Sequence, residues 1–148
     1  MSTMTDTLSH TLLERQRSSA QARISTDFFV NGESLLQILV NADGGHSDYM
    51  GRFVAGFPKV TKSAADELLA RIPSEVGDGR SLLYMCPECG DIGCGAYAAR
   101  IQRDADKFAW FDFVYLNGYE PPRPLPNVGP FAFTVPEYEH AIAAASSI

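Results

Sequence analysis

Three apolar runs, at residues 81–85, 96–103 and 108–116, follow one another with only residues 86–95 and 104–107 between them. Parallel strands need a crossover of a dozen residues or more, so runs this closely spaced pair antiparallel. A three-stranded meander is therefore the fixed point around which the rest of the chain must be arranged. The first connection holds every cysteine of the chain, in Cys86-Pro87-Glu88-Cys89-Gly90-Asp91-Ile92-Gly93-Cys94-Gly95. The cysteine segment is thus the tip of a hairpin.

Upstream, Ile24, Thr26, Phe28 and Val30 alternate with the period of a half-buried strand. Asn31-Gly32 then marks a turn. Residues 34–40 read as a short helix or a second strand; the spacing of Leu35, Leu36, Leu39 and Val40 favours the helix, which Asp43-Gly44-Gly45 would stop by offering left-handed backbone. A second helix is predicted from an N-cap at Thr61 or Ser63, with Ala64, Leu68, Leu69 and Ile72 as its buried stripe and Pro73 as its stop. Residues 117–126 hold four prolines, which lack the amide donors of a central strand, so they form a loop or an arm over an edge. Phe131 to Phe133 adds a short strand. Thr134 and Glu137 have the spacing of a capping box at the head of a C-terminal helix carrying Tyr138, Ala141, Ile142 and Ala145. In the aromatic run, strict alternation sets Phe111, Phe113 and Tyr115 on one face and Phe108 and Trp110 on the other.

The expectation is a single α+β domain over residues 23–148, preceded by a mobile Ser/Thr-rich leader over residues 1–22. The fold is an antiparallel sheet with a central three-stranded meander and helices on one face. A chain of 148 residues is long enough to bury a core without staples. Its formal charge of −6, with no clustered basic face, disfavours nucleic acid as a partner and favours a basic protein. No apolar stretch is long enough to span a membrane, and an odd number of cysteines suits a reducing, cytoplasmic setting.

The cysteine hairpin admits three readings. Cys86 and Cys89, two residues apart with a glycine after them, have the look of a zinc knuckle, with Cys94 as a third thiolate and His46 as the candidate fourth ligand. His140 is the other histidine available for that place. A C-x-x-C pair also serves thiol–disulfide chemistry, although the strand-to-helix context of thioredoxin-like proteins is missing. Packing alone accounts for most of the segment, with the glycines building a tight crossing and the cysteines as small fillers. His46, between Asp43 and Asp48 in a glycine-containing loop, could serve acid–base chemistry, but a lone histidine is commonly a surface residue. No phosphate-binding glycine loop, nucleophile elbow or H-E-x-x-H pair is present, and no catalytic residue is nominated.

Asn31-Gly-Glu-Ser-Leu-Leu-Gln37, the cysteine segment through Ala96, Asn117-Gly-Tyr-Glu-Pro121 and Gly129-Pro-Phe131 together resemble a family of small, poorly characterised bacterial proteins. The resemblance runs over residues 24 to 142. Some members carry a generic oxidoreductase label, which implies a zinc-binding or thiol-dependent protein centred on the cysteines. Small acidic proteins of this kind are also similar to the immunity partners of bacterial toxins, including those of contact-dependent growth inhibition. That likeness implies a non-enzymatic cytoplasmic protein that binds and neutralises a cognate, basic, nuclease-type toxin.

Overall fold

A computed structural model of the chain describes residues 5–15, 23–45, 48–74, 79–86, 95–117 and 119–148. The first half contains β1 (Leu8–Arg15), β2 (Arg23–Val30), β3 (Glu33–Ser34), α1 (Leu35–Asp43), β4 (Met50–Gly51) and α2 (Pro58–Leu68). The second half contains β5 (Ser81–Met85), β6 (Ala96–Arg103), β7 (Lys107–Leu116), β8 (Arg123–Pro124), β9 (Phe131–Thr134) and α3 (Val135–Ser146). The fold is α+β, with two antiparallel sheets. One has the order β1-β2-β3; the other runs β4-β5-β6-β7-β8, with β9 also paired to β7. Strands β5, β6 and β7 pair antiparallel in chain order, as their short connections require.

The two sheets are tied where β2 passes the segment after β4. Thr26 N–H donates to the Phe53 carbonyl at 3.1 Å and Ala55 N–H to the Ile24 carbonyl at 2.9 Å. A principal core gathers the buried residues of all three helices, among them Leu39, Leu68 and Ile142, against Phe28, Phe53, Trp110 and Phe133. A smaller cluster of Met50, Val54, Leu82, Met85, Ala96, Ala98, Val114 and Leu116 contains no residue of those helices. The helical side chains thus converge on one core, as the α+β reading expects.

Leu8–Arg15, assigned above to a mobile leader, is instead an eight-residue strand. It pairs in unbroken register with β2, from Leu8 opposite Val30 to Arg15 opposite Arg23. Two of its leucines, Leu8 and Leu13, pack on the principal core. The Ser/Thr-rich composition hid this because a strand beside a strongly formed neighbour needs few apolar residues of its own.

The second helix begins and ends earlier than its stripe suggested. Pro58 occupies its first turn, where a missing amide costs nothing, and Thr61 is a buried interior residue whose hydroxyl binds both the amide and the carbonyl of Val54. The helix stops at Leu68 because Ala70 takes a left-handed φ of 58°. Ala70 N–H reaches the Glu67 carbonyl and Arg71 N–H the Asp66 carbonyl, which is a Schellman closure with alanine where glycine is usual. Ile72 is therefore outside the helix and 40 % exposed. Thr134 holds the N-cap place of α3, but its side chain makes no capping hydrogen bond. The helix is anchored instead by Tyr138, whose hydroxyl donates to the Leu68 carbonyl at 2.5 Å and accepts from Trp110 Nε1 at 3.0 Å.

Strict alternation also fails in β7. Ala98 pairs with Val114 and Arg100 with Phe111, so Asp112 and Phe113 together oppose the single residue Ala99. Asp112 has a left-handed φ of 56°, the mark of a β-bulge. After it the sides exchange: Phe113 and Tyr115 join Phe108 and Trp110 on the principal core, while Val114 and Leu116 face the smaller cluster. Arg80 Nη2 and Arg100 Nε hold the Asp112 carboxylate at 2.8 and 2.9 Å.

Several residues of the resemblance motifs have local structural work. Asn31 and Gly32, with φ of 54° and 82°, form the two-residue hairpin loop between β2 and β3 that favours Asn-Gly. Ser34 caps α1 by accepting from Gln37 N–H at 3.1 Å and donates to the buried Asp27 at 2.7 Å. Asn117 Oδ1 accepts from the amides of Tyr119 and Glu120, both at 3.0 Å, which turns the chain into the proline arm.

Candidate functional site

The Met85–Ala96 pair closes the β5–β6 hairpin, so the cysteine segment springs from one end of the larger sheet. Cys86 is half-buried and carries a free thiol. Cys89, Cys94 and His46 lie outside the described residues. His140 is exposed on α3. Among the described residues no three His, Cys, Asp or Glu side chains gather closely enough to hold a metal ion.

One register step inward from that closing pair, Tyr84, Tyr97 and Tyr115 stand side by side across β5, β6 and β7, and Arg123 of β8 pairs with Tyr115. Tyr49 packs on Tyr97 with ring centroids 5.0 Å apart, and Tyr97 meets Tyr115 edge-on at 5.7 Å. Asp43, the last residue of α1, accepts from the Tyr97 hydroxyl at 3.1 Å. Its other oxygen receives Arg123 Nε at 2.8 Å and Nη2 at 2.7 Å. The same guanidinium lies 4.5 Å above the Tyr115 ring, so one arginine clasps the proline arm to both the sheet edge and the helix end.

The loop that carries His46 is led to the same place. Met50 pairs with Met85 and Gly51 with Tyr84, and Tyr49 next to them packs on Tyr97. On the near side of that loop, a methyl on Gly45 would sit 3.5 Å from the Tyr97 hydroxyl. Both described flanks of the His46 loop therefore border the base of the cysteine hairpin. Sequence spacing gave no hint of this, because residues 45–50 reach 85–97 only through strand pairing.

The electrostatics keep the phenols protonated. Burial, then the neighbouring Tyr115 and Asp43, pushes Tyr49 up to about 12. Burial followed by the charge of Asp43 raises Tyr97 further, and burial is also the chief cause of the upward shifts of Tyr84 and Tyr138. The hydrogen bond and charge of Asp43 raise Arg123. At neutral pH these phenols are hydrogen-bond donors rather than proton acceptors, so the cluster orients and rigidifies this end of the sheet.

An alkaline titration should reveal these shifts. Each buried phenol holds its proton more tightly folded than unfolded, so its contribution to stability is complete below the unfolded value of about 10. That contribution is lost as pH rises through the folded values, beginning near 12 for Tyr49. Four of the six tyrosines, Tyr49, Tyr84, Tyr97 and Tyr138, should therefore ionise only in a step that coincides with alkaline unfolding. Phenolate absorbance recorded together with circular dichroism tests this; smooth ionisation of all six while the fold persists would contradict it.

The described flanks of two segments singled out in the sequence, Met85 with Ala96 and Gly45 with Tyr49, thus lie with the proline arm at one end of one sheet. Tyr97 and Arg123 are the residues the sequence did not reveal, since an arginine among prolines carries no distinguishing pattern, while Asp43 stood out there only as a neighbour of His46. Comparison with protein-family models, with curated proteins and with solved structures finds no match to this chain.

Proposed function

We propose that this chain is a partner-binding protein that sequesters a basic toxin domain in the cytoplasm, in the manner of an immunity protein. The observation that carries this reading is how charge is spent. Arg52 is paired with Glu67, Lys62 and Arg71 with Asp66, Arg80 and Arg100 with Asp112, and Arg123 with Asp43. These cations are occupied within the fold, while carboxylates at Asp104, Asp106 and Glu137 are exposed. The three lie near one another because the Asp106 carbonyl accepts the Val135 amide at 3.1 Å, joining the β6–β7 turn to the first turn of α3. With a formal charge of −6 on the chain, exposed carboxylates steer a cationic partner and need no chemistry of their own.

Co-expression with the toxin domain encoded beside this gene, followed by size exclusion at physiological salt, is the test. The expected result is co-elution, with protection of the host. The triple change Asp104→Lys, Asp106→Lys and Glu137→Lys should slow association by about tenfold or more and flatten its salt dependence. Failure to co-elute with, or protect against, any linked toxin would remove this reading.

The nearness of Gly45 and Met50 to the base of the β5–β6 hairpin favours a second reading, a zinc-stabilised hairpin held by Cys86, Cys89, Cys94 and His46. Metal analysis of protein purified without a histidine tag should then find about one zinc per chain, lost in Cys89→Ser. Equal urea midpoints with and without chelator would exclude it. Thiols that titrate reversibly with a disulfide reagent, with an activity that follows them, would point to the oxidoreductase class instead.

A further inference from the structure

β1 is the outer strand of the three-stranded sheet, and one side of it meets no other strand among the described residues. Asn31 N–H donates to the Thr7 carbonyl at 2.9 Å, which makes residues 7 and 31 a hydrogen-bonded pair. Alternation along the register then turns the amides and carbonyls of Leu8, His10, Leu12 and Glu14 away from β2. No backbone group of the described residues meets those of Leu8, His10 or Leu12.

Native sheets blunt such an edge with proline, lysine, a bulge or a covering element. Leu8–Arg15 has none of the first three, since its sequence is LSHTLLER and its register with β2 is unbroken. The cover it has is partial. Thr26 stands opposite Leu12, hence on the same face, and donates its hydroxyl to the Ala145 carbonyl at 3.0 Å, which places α3 on that face. Leu8 and His10 are half-buried there, whereas Leu12 and Glu14 are exposed, Leu12 by 64 %. Ile24, diagonal to Leu12 on this face and 40 % exposed, widens the apolar surface. β1 therefore has a covered half up to His10 and an open half from Leu12 onward.

We propose that β1 pairs antiparallel with β1 of a second copy of this chain, about a two-fold axis at Leu12. Outward-facing residues must oppose one another, so few registers exist and side-chain chemistry selects among them. With the two Leu12 side chains facing each other, His10 of each copy faces Glu14 of the other, and Ile24 extends the apolar row on either side. The neighbouring registers set Leu8 or Leu12 against Glu14, an apolar group against a charge. Glu14 already has a contact within its own chain, and a carboxylate keeps acceptor sites for a second donor. Histidine donates a hydrogen bond in either charge state. The same axis sets the open half of each strand beside the covered half of the other, so the two α3 helices lie toward opposite ends of the joined strands. This edge is thus complementary to itself, and the pairing is independent of the toxin-binding reading.

Sedimentation equilibrium of the full chain from about 1 to 200 μM is the test, with a dimer expected at a Kd of about 10 μM or below. Leu12→Lys, an exposed change, sets like charges together at the axis and should weaken the dimer by about tenfold or more. His10→Glu should weaken it as well, by facing Glu14. Combining His10→Glu with Glu14→Lys restores opposite charges and should return the Kd to within about threefold of the parent. Residues 10 and 14 are about 13 Å apart along one strand, so that recovery reads a contact between chains. Circular dichroism checks that each variant folds, and the charge exchange decides if Leu12→Lys does not. A chain that stays monomeric at about 200 μM would overturn the proposal. So would a dimer that Leu12→Lys leaves intact, or a double variant no tighter than His10→Glu alone. A monomer whose capture of the linked toxin is lost in Leu12→Lys would assign this edge to a strand of the toxin instead.

Discussion

Gly51→Ala is expected to destabilise this protein by about 3 kcal/mol, the upper end of what overpacking a core costs. Gly51 sits in β4 opposite Tyr84, and its amide donates to the buried Ser25 hydroxyl at 3.0 Å. A methyl group built on it falls well inside contact distance of the Thr26 carbonyl oxygen, which is backbone and cannot rotate away. Relief requires β2 and β4 to separate at the place where the two sheets are tied. Gly56→Ala provides the contrast. Its φ of 85° is left-handed, yet nothing lies within 4 Å of an added methyl, so only backbone strain of about 1 kcal/mol is expected. Urea midpoints of the two variants check the pair of values; similar losses at both positions would show that the contact with Thr26 is not what sets the cost.

Arg52→Met should cost about 3–5 kcal/mol, because it strands a charge that has no route to water. The Arg52 guanidinium bonds the Leu82 carbonyl at 2.8 Å and Glu67 at 3.2 Å, and both side chains are nearly inaccessible. The double change Arg52→Met with Glu67→Leu removes both charges and should recover most of the loss. About 1 kcal/mol should persist for the Leu82 carbonyl, which loses its side-chain donor. A double variant no more stable than Arg52→Met in the same urea titration would mean that packing, not the orphaned carboxylate, carries the penalty.

Where the chain speaks through local rules, the sequence reading and the fold agree. The meander follows from the short connections, α1 from the spacing of Leu35, Leu36, Leu39 and Val40 before Gly44, and the proline arm from its missing donors. The disagreements arise where tertiary contacts override local preference. β1 is a strand because β2 offers a template, α2 ends at an alanine that takes a glycine-like conformation, and β7 breaks alternation at an aspartate held by two arginines. None of these leaves a pattern in neighbouring residues. The candidate site was legible in the same uneven way. Cys86 and the segment from Asp43 to Asp48 stood out, whereas Tyr97 and Arg123 are brought beside Asp43 by strand pairing.

The extra residue at Asp112 makes β7 sensitive to length as well as to composition. Straightening the bulge with every residue kept would carry Phe113 and Tyr115 to the opposite surface of the sheet, taking with them the seat of Arg123. Removing Asp112 itself would instead leave a regular ladder with Phe113 opposite Ala99 and both side chains still on the principal core. A one-residue deletion at the bulge should therefore be milder than one farther along the strand, which shifts every later side chain to the wrong face, and a related chain ought to keep either this bulge or the regular count in its place.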